Sequence, residues 1–190
     1  MAVVVGVVLG AGLSRRLGRP KQTLPLGDTT LLGWTVREAE ASSLDRVVLV
    51  TTADVETERA EVVEPNGRDP SCTATSLRSG LAAAGDADAV VLLLGDMPGV
   101  DADVIDQVRA AWEDGRPWAL ATEYEDGRGH PLVFSAEAVE TLRAARGPKP
   151  AWRLLESEPD RVAAAHVARP LPRDVDTWED YEAVLRALAP

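Results

Sequence analysis

The sequence has little of what several common kinds of protein site require. Its single cysteine, Cys72, excludes an internal disulfide and a multi-cysteine zinc site, which agrees with a reducing compartment. The two histidines, His130 and His166, lie in no local pattern that links either of them to Cys72, so a Cys/His nucleophile is not indicated. Basic residues are also few, because 20 Lys and Arg face 31 Asp and Glu and give a formal net charge of −11. Nucleic acids and anionic membranes bind broad basic surfaces, so we expect neither as a partner.

Long apolar runs are also absent. The N-terminal run, residues 2–9, follows no basic segment and is too short to cross a bilayer, so we expect neither a signal peptide nor a transmembrane helix and place the protein in the cytoplasm. No Pro/Gly/Ser-rich linker divides the 190 residues. The length therefore predicts one domain over residues 1–190.

Short apolar strands alternate with amphipathic helices along the chain. Residues 2–9, 47–50 and 89–94 are almost entirely apolar and rich in β-branched side chains, as expected for strands covered on both faces. Thr29 or Thr30 and Asp101 stand where they can cap the helices that follow. Strands that alternate with helices pair in parallel through crossover connections. The sequence therefore predicts an α/β fold with a doubly wound, Rossmann-like, mostly parallel sheet.

The turn after the first strand is the strongest candidate for a ligand site. Residues 9–21 contain three glycines, a serine and four cations in a chain that is otherwise acidic. Glycines let main-chain N–H groups approach an anion closely, so a polyphosphate is the expected ligand. A dinucleotide fingerprint does not fit, because Arg15 replaces its third glycine, and a Walker loop does not fit, because Gln22 follows Lys21.

These residues match the pattern L-x-(A/G)-G-x-S-x-R-x-G-x-x-K, which resembles the MobA-like nucleotidyltransferases of molybdenum-cofactor biosynthesis. Residues 22–27, QTLPLG, are most similar to the cytidylyltransferase (MocA-type) branch. The resemblance implies a GT-A-like nucleotidyltransferase fold. It implies that Arg16 and Lys21 are catalytic, neutralising the triphosphate and the departing pyrophosphate. It further implies a nucleotide-binding turn formed by Leu9, Gly10, Ala11, Gly12, Ser14, Arg16 and Lys21.

A second nucleotide-binding segment is implied at residues 75–81, TSLRSGL. Hydroxyl side chains before a helix suit either a helix cap or a polar ligand. The segment resembles the S-S-L-x-x-G-L stretch that lies beside the base in cytidylyltransferases. On that resemblance Ser76 and Gly80 line the base pocket, with help from Asn66.

Asp96 is the candidate metal ligand. It follows the strand 89–94 in the sequence GDMP, at the strand end where open α/β sheets bind ligands. A carboxylate there suits Mg²⁺, which combines one or two carboxylates with substrate phosphates. GDMP resembles the family's magnesium motif, and residues 174–180 resemble D-x-D-T-P-E-D with Trp178 in place of proline. The second ligand is then Asp176, with Asp174 as the alternative.

The acceptor substrate is expected near residues 127–134, GRGHPLVF, which are similar to the family's G-H-P segment. The resemblance assigns Gly129, His130 and Pro131 to that side, together with Arg153. Residues 147–153 depart from the family's G-D-x-G-A-R, since the acid and the second glycine are missing. Trp152 in this segment suits either the core or a flat ring such as a pterin.

The resemblance implies Mg²⁺-dependent transfer of a nucleoside monophosphate to a phosphorylated acceptor with release of pyrophosphate. CTP is the favoured donor and molybdopterin the favoured acceptor, and transient contact with a molybdenum enzyme is expected. Guanylyl transfer from GTP and transfer to a sugar phosphate stay open. A non-catalytic nucleotide-binding escort for a molybdenum enzyme is the alternative from another class.

Overall fold

The structure, a computed structural model, describes residues 1–12, 17–67 and 72–188. Within them the strands, in chain order, are β1 (Val4–Leu9), β2 (Pro25–Leu26), β3 (Thr29–Thr30), β4 (Arg46–Val50), β5 (Glu61–Val63), β6 (Ala89–Leu94), β7 (Ala119–Tyr124), β8 (Gly127–Ser135) and β9 (Val162–His166). Strands β2 and β3 form a small antiparallel ribbon, and the others form one sheet.

Six α-helices lie in the same described residues: α1 (Leu31–Ala41), α2 (Thr73–Ala84), α3 (Ala102–Gly115), α4 (Ala136–Ala144), α5 (Pro150–Ser157) and α6 (Trp178–Leu188). Short 3₁₀ turns occupy Lys21–Thr23 and Pro159–Arg161. Thr30 and Asp101 cap α1 and α3, because their side-chain oxygens accept the N–H groups of Gly33 and Val104 at 3.1 and 2.9 Å. In the described part of the chain, no helix combines the length and the apolar character needed to cross a bilayer.

The order of the main sheet is β5-β4-β1-β6-β8-β7-β9. Every neighbouring pair is parallel except those that β8 forms with β6 and β7. A short turn joins β7 to β8, and so tight a connection permits only antiparallel pairing. The predicted α/β fold with a mostly parallel sheet is confirmed.

Helices cover both faces of the sheet. Val4 and Val8 of β1 face one core that includes side chains of α1 and α3. Val5 and Val7 face the other core, which includes side chains of α2, α4 and α5. Successive strand residues point to opposite faces, so an unbroken apolar run is what a strand between two helical layers needs.

Helix α6 packs near the start of α1, and the segment before it lies beside β6 in the middle of the sheet. Tyr181 and Val184 join a small apolar cluster with Leu24 and Leu26, and the Tyr181 hydroxyl donates a hydrogen bond to the Pro25 carbonyl. Thr177 and Asp180 form the expected capping pair, with the Thr177 N–H donating to Asp180 Oδ2 at 2.9 Å. This docking places the segment before α6 across the carboxyl end of β6.

Candidate active site

The turns that follow β1 and β6 lie side by side. Leu9 pairs with Leu94 in the sheet, and the Gly95 N–H donates to the Leu9 carbonyl at 2.9 Å. A Cβ atom on Gly95 would lie 2.4 Å from Leu32 Cδ1 and 3.1 Å from Leu9 O, so this close approach requires glycine. Asp96, the next residue, is therefore held against the glycine-containing turn of residues 10–12.

Three charged side chains from distant parts of the sequence meet at this point. The Lys21 Nζ atom lies 2.5 Å from Asp96 Oδ2 and 2.9 Å from Asp176 Oδ1. It also donates to the Val175 carbonyl at 2.9 Å. The Val175 N–H in turn donates to the Asp96 carbonyl at 2.9 Å, which fixes the segment before α6 on the turn after β6.

Burial and charge act in opposite directions within this cluster. Burial by itself lowers the pKa of the Lys21 ammonium, but Asp96 and Asp176 outweigh it, and the pKa of Lys21 rises. Burial raises the pKa of the Asp96 carboxyl, and the neighbouring Lys21 ammonium opposes that rise. Lys21 is therefore a cation at neutral pH, held between two acidic side chains.

A cleft of about 760 Å³ opens over the cluster. Its wall contains predicted residues from the nucleotide side, the metal site and the acceptor side: Leu9, Gly10, Ala11, Gly12, Lys21, Ser76, Asp96, Gly129, His130 and Asp176. Asp174, the alternative metal ligand, lines the same cleft, but it is Asp176 that contacts Lys21. The structure thus brings most of the predicted site residues into one cavity.

Four predicted nucleotide-binding residues are not found among the described residues of the cleft wall. Ser14 and Arg16 fall outside the described residues. Asn66 is exposed and does not line the cleft. Gly80 faces the sheet, where a Cβ atom would lie 2.4 Å from Val7 Cγ1, so its small size serves helix–sheet packing. The assignments of Asn66 and Gly80 to the base pocket stay predictions without support from the shape of the cleft.

The predicted acceptor residues also divide into two groups. Pro131 is buried outside the cleft wall, and its carbonyl accepts the Thr122 hydroxyl at 2.6 Å. Arg153 is exposed on α5 and likewise does not line the cleft. Gly129 and His130 do line it, so contact with an acceptor in this cavity would come from the N-terminal half of the segment.

His130 is a neutral hydrogen-bonding group in the cleft wall. Burial lowers its pKa to about 4. Its Nδ1 atom lies 3.2 Å from the Leu92 carbonyl. A carbonyl only accepts, so we assign the ring proton to Nδ1, and Nε2 is left as an acceptor. The Trp152 ring, half-buried and also in the cleft wall, stands edge-on to His130 with the ring centres 5.8 Å apart.

The sequence does not identify a buried glutamine and two cations of the cleft wall as site residues. Gln22 is buried, and its Nε2 atom donates to the Gly12 carbonyl at 2.5 Å, which fixes the end of the glycine turn. Arg128 and Lys149 add positive charge to the wall on the acceptor side. The only sequence signal for Gln22 is its place directly after Lys21. The position of Lys149 in the cleft wall depends on its left-handed backbone, φ 47°, which the sequence does not specify.

The two carboxylates suit a divalent cation whose remaining ligands come from substrate and water better than a cation that is held by protein ligands alone. Among the described residues no group of three or more His, Cys, Asp and Glu could hold a metal ion. Asp96 and Asp176 nevertheless direct oxygen atoms at one point, which a cation already occupies in the form of the Lys21 ammonium. Two carboxylates fit Mg²⁺ or Mn²⁺ when phosphate and water oxygens supply the remaining ligands.

Comparison with known proteins identifies the family of the chain. The family model of the MobA-like NTP transferase domain matches residues 6–163. The chain belongs to this family. The match includes the glycine turn, Lys21, Asp96 and His130, whereas Asp174 and Asp176 of the cleft wall lie beyond its end.

Relatives of this MobA-like chain carry names from different areas of metabolism. The purine catabolism protein PucB of Bacillus subtilis (strain 168) is 28% identical over 208 residues, 98% of each chain. The nicotine blue oxidoreductase of Paenarthrobacter nicotinovorans is 30% identical over 145 residues, 70% of this chain and 71% of that protein. The Rv0371c protein of Mycobacterium tuberculosis H37Rv, solved as a complex with manganese, is 33% identical with a TM-score of 0.80, covering 97% of this chain and 98% of that one. The family match confirms the nucleotidyltransferase fold, and one relative binds a divalent metal.

Proposed function

We propose that this MobA-like chain, as one domain over residues 1–190, transfers CMP from CTP to the phosphate of a molybdopterin-type acceptor with Mg²⁺ and releases pyrophosphate. The observation that carries the proposal is the convergence of Lys21, Asp96 and Asp176 beside the glycine turn. Family membership supplies the reaction class. The cytidine base rests on the similarity of residues 22–27 to the cytidylyltransferase branch. The pterin acceptor and contact with a molybdenum enzyme rest on the resemblance to nucleotidyltransferases of molybdenum-cofactor biosynthesis, and the cytoplasmic location rests on the single cysteine and the short N-terminal apolar run.

Two anions must be brought together for this reaction. An oxygen of the acceptor phosphate attacks the α-phosphorus, an O–P bond forms, and the bond to the β-phosphate oxygen breaks as pyrophosphate leaves. In this proposal Lys21 neutralises the triphosphate, and Arg16 shares this role. A phosphate monoester is largely ionised near neutral pH, so no general base is required, and positioning with charge stabilisation performs the catalysis.

Asp96 and Asp176 would hold the magnesium ion. When bound there, the ion supplies positive charge that offsets the phosphate charges and orients their oxygens. Because the two carboxylates come from the turn after β6 and the segment before α6, the hydrogen bond between Val175 and Asp96 sets their separation. That bond makes the docking of α6 a requirement for the metal site.

The acceptor side of the cleft offers an aromatic wall and a neutral imidazole. Trp152 presents an apolar ring, and His130 Nε2 can accept a hydrogen bond from an N–H or O–H group. A flat heterocycle with N–H donors, such as a pterin, matches both. Arg128 and Lys149 add cations that suit its phosphate.

Pyrophosphate release tests the proposal. The purified protein is incubated with CTP or GTP, Mg²⁺ or Mn²⁺, and molybdopterin. We expect CTP-dependent release that Asp96→Asn reduces at least about a hundredfold, since it removes charge from the reacting centre. Asp28→Asn is the matched control, because Asp28 is exposed and pairs only at the surface with Arg37. Nucleotide binding without turnover would favour the escort function, and faster release from GTP would favour guanylyl transfer.

A further inference from the structure

The ammonium of Lys21 occupies the position at which the two acidic side chains converge. Its distances of 2.5 Å to Asp96 Oδ2 and 2.9 Å to Asp176 Oδ1 are those of charge-assisted hydrogen bonds. A magnesium or manganese ion held by the same two oxygens would lie roughly 2 Å from each of them. An ion that took the place between these oxygens that the Lys21 nitrogen fills would overlap it, so this place can hold one or the other but not both.

We propose that Lys21 is an internal counter-cation that keeps divalent metal out of the Asp96–Asp176 pair until a polyphosphate binds and draws the ammonium away. The inference rests on the proposed function only in taking a polyphosphate as the ligand that recruits Lys21. It adds that metal and nucleotide bind cooperatively, and that metal alone binds weakly.

The charges make the exchange a coupled one. If Lys21 moved away by itself, two neighbouring carboxylates would lose their common counter-ion, which like-charge repulsion disfavours. If a divalent ion entered without that movement, it would meet a positive charge within hydrogen-bond distance of both its ligands. When both changes occur together, the carboxylates gain a doubly charged ion and the ammonium gains phosphate oxygens. Reciprocity of binding free energies then requires each ligand to strengthen the binding of the other.

The structure provides room for this movement. Lys21 begins a 3₁₀ turn, and the cleft that it lines also contains the glycine turn of residues 10–12. The lysine side chain has a flexible four-carbon stem, so its nitrogen can move toward a phosphate without a change in the backbone. Gln22, bound to the Gly12 carbonyl at 2.5 Å, fixes the distance between the lysine and that turn.

Manganese binding without nucleotide tests the inference. Free Mn²⁺ is followed by electron paramagnetic resonance during titration of the wild-type protein, Lys21→Met and Lys149→Met. We expect Lys21→Met to raise the nucleotide-free Mn²⁺ affinity about tenfold or more, because it removes the competing cation. Lys149→Met removes the same charge from the same cleft but outside the carboxylate pair, so it should raise the affinity less than about threefold. Equal affinities of Lys21→Met and wild type would overturn the inference, as would equal increases in the two variants.

Stability provides a second measurement on the same variants. Without metal, Lys21→Met should unfold at a lower temperature than the wild type, and Mn²⁺ should raise its unfolding temperature more than that of the wild type. If Lys21→Met does not fold, both measurements are made on Lys21→Gln, because the glutamine amide can still donate a hydrogen bond to one carboxylate and so support the fold. None of these readouts needs turnover. Tight Mn²⁺ binding by the Lys21 variants in a protein that releases no pyrophosphate would refute the proposed function and leave this inference standing.

Discussion

Replacing His130 by asparagine is expected to flatten the pH dependence of stability. The ring is buried in the folded protein, and burial lowers its pKa to about 4, whereas an unfolded chain has a histidine pKa near 6.5. As the pH falls below about 6.5, His130 therefore binds a proton in the unfolded state but not in the folded state. The stability that neutral His130 confers is complete above that pH and is lost as the pH falls through about 4.

The size of the effect follows from the two pKa values. A pKa near 4 in the folded state against 6.5 in the unfolded state corresponds to about 3 kcal/mol when the loss is complete. About 2 kcal/mol of this is lost between roughly pH 7 and pH 5. Asparagine can place an amide nitrogen near the position of Nδ1, so it can retain the hydrogen bond to the Leu92 carbonyl but does not titrate.

Urea unfolding at about pH 7, 6 and 5 measures this difference. Wild type should lose about 2 kcal/mol more than His130→Asn over that range, because the carboxylates that also titrate are common to both proteins. His166→Asn is the control, since His166 is the other histidine of the sequence and is largely exposed. Its loss over the same range should exceed that of His130→Asn, because it keeps the buried His130. Parallel losses in wild type and His130→Asn would refute the assignment of His130 as a buried, neutral group.

Three further substitutions test the packing and the walls of the cleft. Gly80→Ala should lower the free energy of unfolding by about 1–3 kcal/mol, because its Cβ would lie 2.4 Å from Val7 Cγ1; an unchanged urea midpoint would contradict the packing role. Gln22→Leu should weaken CTP binding about fivefold in calorimetry by releasing the Gly12 carbonyl, and unchanged affinity would show that the turn needs no such anchor. Trp152→Ala should raise the KM for the acceptor about tenfold, with a smaller effect on that for CTP. Equal increases in the two KM values would contradict the placement of Trp152 on the acceptor side.

The sequence predicts the sheet because each buried strand satisfies a local rule. The apolar runs at residues 2–9, 47–50 and 89–94 correspond to β1, β4 and β6, and the pattern alone indicates burial on both faces. Helix α5 is not predicted, since its start depends on the left-handed backbone of Lys149, which the sequence does not specify. The reversed direction of β8 depends on the short turn after Tyr124, which strand patterns do not reveal.

The candidate site is predicted to a different degree for each residue. The position of Asp96 in the cleft wall can be predicted from the sequence because only Gly95 separates it from a buried strand, whose carboxyl end faces the ligand side of such a sheet. The choice between Asp174 and Asp176 depends on how the buried Val175 and helix α6 dock, which is a tertiary effect. For Gly80 the sequence gives a residue but not its role. A base pocket and a tight helix–sheet contact both require a small side chain, and the structure places Gly80 in such a contact.

The two carboxylates that suit a metal are also part of what holds the fold together. In the structure Asp96 and Asp176 neutralise Lys21, and the backbone of Asp96 binds Val175, so the turn after β6 and the segment before α6 are joined by charge and by a hydrogen bond. Removing one carboxylate therefore leaves a partly buried ammonium with one counter-ion fewer, which costs stability as well as metal affinity. Loss of activity in an Asp96 variant is consequently evidence for metal chemistry only when its unfolding free energy, measured beside that of Asp28→Asn, shows that most of the protein is still folded.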